Sequence, residues 1–258
     1  MTNNIHVTHI VSGDLWAGAE VQAYQIGKAL KEHTDIVPHF ILFNEGLLAK
    51  ELRAAGIDTC VFEENKLPPL TLISNIRKQF IKQKTQVIHT HGYKENIIGN
   101  LARIFSPVKH SVRTAHGSAE HHYNWSQWPQ KIVQGLDNFI GQHYQQKIVA
   151  VSKHLENELI PIFGHSKVVQ IYNAIDTHSL SKLTENKSSS TLSQLPIKIA
   201  FAARLVPVKR PDIFIEAMID LKEINNYEFE AHIFGDGPLL NDTQKAAKAS
   251  NNPDLFHF

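Results

Sequence analysis

The chain has 258 residues, 42% of them apolar, which is enough for one large or two small packed cores and too much for a disordered chain. A formal net charge of +1 removes any compositional case for nucleic acid, and the one cysteine, Cys60, rules out an intrachain disulfide and points to a reducing compartment. No basic start with a long apolar run opens the sequence, and no run reaches the length of a membrane span, so the expectation is a cytoplasmic protein.

In chain order, short β-rich runs alternate with helical ones. Strands are expected at Ile5–Val11, Val37–Phe43, Thr59–Phe62, Val87–Thr90, His110–Thr114, Ile148–Val151 and Val168–Ile171. Helices are expected after Glu20, where Ala23, Ile26, Gly27 and Leu30 share one face, and at Leu47–Ala55, with Gly56 as the stop signal. Further helices fall around Ile73–Phe80, where Arg77 breaks the stripe, and at Ile97–Ile104 and Ile132–Tyr144. Another runs from an N-capping Ser152 to Ile160. Residues 179–196 are polar, serine-rich and without period, and read as a linker. The alternation then restarts: strand Ile197–Ala203, helix Asp212–Leu221, strand Glu228–Phe234, helix Leu239–Ala249 and a last strand Leu255–Phe258. The pattern predicts an α/β protein of two Rossmann-like, doubly wound parallel-sheet domains, 1–178 and 197–258, the second incomplete.

Chemistry-bearing residues crowd the predicted strand ends. Ser12–Glu20 holds Gly13 and Gly18 at the spacing of a phosphate loop, but Ala19-Glu20 stands where that loop needs Lys and a hydroxyl. The dinucleotide fingerprint is also missing, which excludes both a nucleoside triphosphatase and an NAD enzyme of the usual kind. What remains is a glycine turn at a helix start, suited either to a diphosphate or merely to strand–helix packing. Val87–Tyr93 (VIHTHGY) reads as His89 in the core, with His91 and Tyr93 facing a cleft. His116 follows the next strand in Arg-Thr-Ala-His-Gly. A metal cluster of His116, His121 and His122 is rejected, because no helical His pair with a nearby carboxylate supports it. The basic helix bearing Lys78, Lys82 and Lys84 reads as a solvated face, with peripheral contact to anionic lipid as the alternative. The aromatic run Tyr123–Trp128 either lines a site or packs. Arg204 and Lys209 share one loop after an apolar strand, and Gly235 and Gly237 form a turn after the next. Two cations and a glycine turn at adjacent strand ends form an anion site.

The order of these motifs resembles retaining glycosyltransferase family four, of the two-domain GT-B fold. The carriers of the resemblance are Ala17-Gly18-Ala19-Glu20 against Gly-Gly-x-Glu, the HTHG stretch, His116, the Ser152 helix, Asn173-Ala-Ile-Asp176 and the Arg204–Lys209 loop. The resemblance implies transfer of a sugar, with retention, from a nucleotide-sugar donor to a glycan or lipid-linked acceptor in surface polysaccharide synthesis. No metal or other cofactor is implied. It assigns catalysis to His116, Arg204 and Lys209, donor binding to Gly18, Arg204, Lys209, Gly235 and Gly237, and acceptor binding to Glu20, His91 and Tyr93. It also implies two later glutamates that this sequence does not contain, so the chain is expected to be an incomplete transferase. A non-catalytic subunit completed by a complementing chain, and a nucleotide-sugar epimerase of the same fold, are the alternatives.

Overall fold

Alternating strands and helices close into two parallel sheets. The computed structural model describes residues 4–117, 128–177, 196–224 and 228–258. The chain divides into two compact units, Met1–Thr177 and His178–Phe258. The 179–195 part of the expected linker, the run at 123–127, His121 and His122 lie outside the described residues.

In the first unit the strands are β1 (Ile5–Val11), β2 (Ile36–Leu42), β3 (Asp58–Val61), β4 (Val87–Thr90), β5 (His110–Ala115), β6 (Lys147–Ala150) and β7 (Val168–Gln170). Between them run α1 (Gly18–His33), α2 (Leu47–Ala54), α3 (Pro69–Lys82), α4 (Tyr93–Ile104), α5 (Trp128–Tyr144) and α6 (Lys153–Phe163). The sheet order is β3-β2-β1-β4-β5-β6-β7, and every pairing is parallel. Chain order therefore reverses between β1 and β4, the place in a doubly wound sheet where adjacent loops part and leave a crevice.

Central β2 shows why such strands read as unbroken apolar runs. Phe40 and Leu42 pack with Ala23, Leu48 and Leu52 of α1 and α2, while Ile41 and Phe43 pack with Ile76 and Phe80 of α3. Both faces are covered, so neither can be polar. Burying each of the Leu, Ile and Phe side chains contributes about 1.5–3 kcal/mol against chain entropy. Arg77, which breaks the α3 stripe, turns outward and donates through Nε to the Phe105 carbonyl. Ser152 caps α6 by accepting from the Leu155 amide at 3.1 Å. That helix runs past the expected Ile160, through Pro161, to Phe163. Phe163 is buried in the cluster with Leu155 and Leu159, and that packing holds the last turn. Asn173–Asp176 is tied back to α1: Gln22 donates to the Ala174 carbonyl at 3.0 Å and accepts from its amide at 3.2 Å.

The second unit holds β8 (Ile197–Ala202), α7 (Pro211–Ile224), β9 (Phe229–Phe234), α8 (Leu240–Ala249) and β10 (Phe256–His257), with sheet order β10-β9-β8. Its core joins Leu205, Ile215, Phe229, Ala231, Ile233 and Leu255. The last strand is shorter than expected, because Pro253–Leu255 forms a 3-10 turn before it. Among the described residues no helix is long and apolar enough to cross a membrane.

Candidate functional site

The first unit gathers its polar residues at the β1/β4 reversal. Side chains two apart on a strand share a face, so His89 and His91 are on the same side. Register places Phe40, His9 and His89 in one lateral row across β2, β1 and β4. The His9 ring stacks on Phe40 with centroids 4.7 Å apart, and His89 stacks on His91 at 4.3 Å. Nδ1 of His9 lies 3.1 Å from Nε2 of His91, and Nδ1 of His91 lies 3.1 Å from Nε2 of His116. His89 Nε2 meets the Thr114 hydroxyl at 2.7 Å.

Burial makes these rings neutral. His9 and His91 are held well below the usual imidazole range, first by loss of hydration and then by neighbouring histidines. His89 is lowered to about 4 by burial and by His116, and His116 to about 4 by burial. Neutral imidazole offers one donor and one acceptor, so the rings bond in series without a buried charge. His91 does not face an open cleft as expected: it is 6% exposed, packed among the other histidines. Alternation along a strand that is covered on both sides turns it inward. Tyr93, at the start of α4, is 58% exposed, and Glu20 is buried in the first turn of α1.

A second polar group lies beside it. Asn44 donates weakly to Ser12 and Glu64, at 3.3–3.4 Å, and Lys94 donates to both Glu64 oxygens at 2.9 and 2.8 Å. That partner raises the Lys94 pKa despite the opposing effect of burial. Next to Lys94, Glu95 is 5% exposed, and its pKa is pushed up to about 7 by burial, with Glu64 and Asp14 adding to the shift. Gly92 makes room for it, since a side chain there would begin 2.1 Å from the Glu95 carboxyl oxygen. Sequence reading missed Glu95. The available signal was a glutamate three residues past a helix-starting glycine at a strand tip. The α1 start has Ala17 at its cap with no side-chain hydrogen bond, and Gly18 is exposed with open space where a side chain would go.

In the second unit, Arg204 and Lys209 are both exposed on the loop after β8. Arg210 is paired with Asp212, whereas Arg204 and Lys209 have no carboxylate partner among the described residues. The 235–237 turn is stitched to that loop by backbone bonds. The Ala203 amide donates to Phe234, the Leu205 amide to Asp236 and the Leu239 amide to Leu205, at 2.9–3.0 Å. A side chain at Gly235 would lie 1.9 Å from the Ala203 carbonyl oxygen, and one at Gly237 2.5 Å from that of Leu205. The two glycines therefore have a packing reason of their own. The structure brings Arg204, Lys209, Gly235 and Gly237 onto one end of the second sheet, and Gly18, Glu20, His91, Tyr93 and His116 onto the strand-end side of the first.

The sequence model of Glycosyltransferase Family 4 matches residues 16–179. Among solved structures, Anabaena HepE in complex with UDP is similar with a TM-score of 0.76 at 17% identity, over 98% of this chain and 68% of that one. A glycosyltransferase from Rickettsia africae gives 0.69 at 20% identity, over 99% and 68%. A UDP-N-acetylglucosamine 2-epimerase gives 0.62 at 11%, over 99% and 68%. At such identities the likeness is one of fold, which is of the GT-B type. No curated protein matches by sequence search.

Proposed function

The chain belongs to Glycosyltransferase Family 4, and from that premise we propose that it transfers a sugar from a nucleotide-diphosphate sugar to a glycan or lipid-linked hydroxyl, with retention at the anomeric carbon, in surface polysaccharide synthesis. The observation that carries the reading is the family match, which spans the strand-end loops around Glu20, His91 and His116. HepE has been crystallised with UDP and with UDP and glucose, which supports a nucleotide-sugar as the donor class.

The roles follow from the chemistry. As the bond from the anomeric carbon to the diphosphate lengthens, negative charge grows on the leaving oxygens and positive charge on the sugar. Arg204 offers a fork of donors and Lys209 a mobile point charge, and both are exposed. They stabilise the departing diphosphate; the Gly18 end of α1, in its own unit, is a further donor-binding element through its backbone N–H groups. Gly235 and Gly237 bring the turn close to the Arg204 loop and leave its backbone open to the nucleotide. His116, being neutral, meets the transferring sugar as a hydrogen-bonding group and not as a competing cation. Glu20, His91 and Tyr93 belong to the acceptor side, with Tyr93 as the exposed contact.

The test is transfer from a panel of UDP- and GDP-sugars to polyprenyl-phosphate-linked and free glycan acceptors, with wild type beside Arg204→Ala. Loss of one such donor to developing charge costs about 10²–10³ in turnover, with the thermal unfolding curve unchanged. Equal turnover in the two proteins refutes the role of Arg204. Conversion of a donor to its epimer without acceptor refutes transfer and selects the epimerase. Binding without turnover, restored only by a second polypeptide, selects the complemented subunit.

A further inference from the structure

Two buried histidines, His9 and His91, and two half-buried ones, His89 and His116, gather at one end of the sheet, more than a sugar contact requires, and three of them form a line. His9, His91 and His116 are joined by two N···N contacts of 3.1 Å, each from an Nδ1 to the next Nε2. The line has two open ends. His9 Nε2 and His116 Nδ1 are both buried and without a hydrogen-bond partner. Every other nitrogen in the line is used.

A series of neutral imidazoles has only two consistent proton arrangements, because each ring that donates through one nitrogen accepts through the other. In one, the protons sit on Nδ1 throughout, leaving a lone pair at His9 Nε2 and an N–H at His116 Nδ1. In the other they sit on Nε2 throughout, leaving an N–H at His9 and a lone pair at His116. The ends are not equivalent. His9 is wholly buried within β1 and stacked on Phe40, which seals its end from solvent. His116 is half-buried just past β5, at the strand-end side of the sheet, where doubly wound folds bind their ligands. Among backbone groups an orphaned buried N–H is rarer than an under-satisfied acceptor, and either kind costs its desolvation when left unmet. The cheaper arrangement puts the lone pair at the sealed end and the N–H on the half-buried ring, nearer the solvent or ligand oxygen that can accept it. The line is also closed to net proton flow, since a proton passed inward would stop as a buried cation on His9.

We propose that His9 and His91 are positioning residues for His116: their two hydrogen bonds fix its ring and its tautomer, so that its Nδ1 carries the proton and donates to an oxygen of the sugar. The tautomer and the alignment are properties of the free protein. Only the final clause rests on the reading of His116 as a sugar contact.

The test is long-range ¹H–¹⁵N correlation on the full chain labelled with [¹⁵N]histidine, at neutral pH and without ligand. The expected result is His116 with Nδ1 at a protonated, pyrrole-like shift and Nε2 at an unprotonated, pyridine-like one. His9→Phe keeps an aromatic ring on Phe40 and removes the anchor. It leaves His91 Nε2 without its donor, so the His91 ring is expected to lose its fixed orientation and the His116 resonances to shift or broaden. Wild-type His116 in the Nε2–H form overturns the proposal, and this reading needs no variant to fold. A His116 signal unchanged by His9→Phe, in a variant with native dispersion, also overturns it. So does stoichiometric Zn²⁺ binding that moves His9, His89 and His91 together, because their ligand atoms lie within 4.8 Å of one another. Addition of UDP-glucose that leaves a Nδ1–H His116 unmoved, while UDP-glucose is turned over, overturns the sugar contact and with it the final clause.

Discussion

Replacing Glu95 by Gln should stabilise the first unit, and by an amount that depends on pH. The carboxyl is almost wholly buried, and its pKa rises from an ordinary 4.5 to about 7, chiefly through lost hydration. Each tenfold change in proton affinity is worth roughly 1.4 kcal/mol, so the displacement corresponds to about 3 kcal/mol. The folded protein holds this proton to higher pH than the unfolded chain does. Stability from the group is therefore full below 4.5, falls as pH rises from 4.5 to 7, and is lost above that. Gln keeps the shape and an acceptor oxygen but cannot ionise. Its advantage over wild type should be near zero at about pH 4 and approach about 3 kcal/mol at about pH 8. All three tryptophans, Trp16, Trp125 and Trp128, lie in the first unit. Urea unfolding followed by tryptophan fluorescence therefore reports on the unit that holds Glu95. The buried histidines titrate in both proteins and cancel in the difference. A Gln-minus-wild-type stability that stays flat across this range, or a Glu95 carboxyl titrating near 4.5 by ¹³C NMR, would refute the reasoning.

Acid should weaken the same unit through its histidines. His89 and His116 have folded values of about 4, below an ordinary 6.5, so their contribution is present above 6.5 and is lost as pH falls toward 4. His89→Gln should remove one proton's worth of slope from the stability–pH curve in that window, and an unchanged slope contradicts the assignment. Gly235→Ala forces a Cβ to within 1.9 Å of a backbone carbonyl at φ +151°. It should cost at least about 2 kcal/mol, read as faster amide exchange in β8 and β9, and unaltered protection would show that the turn can relax. Ser152→Ala removes the acceptor for the Leu155 amide and should lower stability by about 1 kcal/mol in urea unfolding.

Most of the fold is readable in the sequence because strand and helix periods rarely conflict in it. The strands fall within a residue or two of their expected places, α4 and α5 begin four residues before theirs, and two smaller departures have local causes. Pro161 ends a helix on propensity alone but not where Phe163 is buried beyond it. Pro253 begins a 3-10 turn that takes the first residue of the last strand. Propensity is decided within a few residues, whereas packing comes from other strands and can override it.

The site was less legible because its main events are lateral. Arg204 and Lys209 stand out in the sequence as exposed cations at a strand end, and the structure leaves them without carboxylate partners among the described residues. His91 looked outward because it follows a strand and precedes a glycine, yet its neighbours are His9 of β1 and His116, just past β5. No window along the chain contains that row. The same holds for Glu95, whose raised pKa needs Asp14 and Glu64 as well as its own burial. The sequence already singles out His91 and His116 beside the exposed cations Arg204 and Lys209. What the structure adds is His9 and Glu95, and the neutrality that burial gives the imidazoles of His9, His89, His91 and His116 beside the β1/β4 reversal. A site that separates charge between a sugar and a diphosphate has reason to be built this way. Fixed cations belong on the diphosphate side, and a sugar gaining positive charge is better met by neutral donors and acceptors than by an imidazolium. If that division is correct, protonating the histidine row should inhibit transfer at a pH where the fold is still intact, so activity should fall before tryptophan fluorescence does as pH is lowered from 6.5 toward 4. Coincident loss of both would mean that the row serves the fold alone.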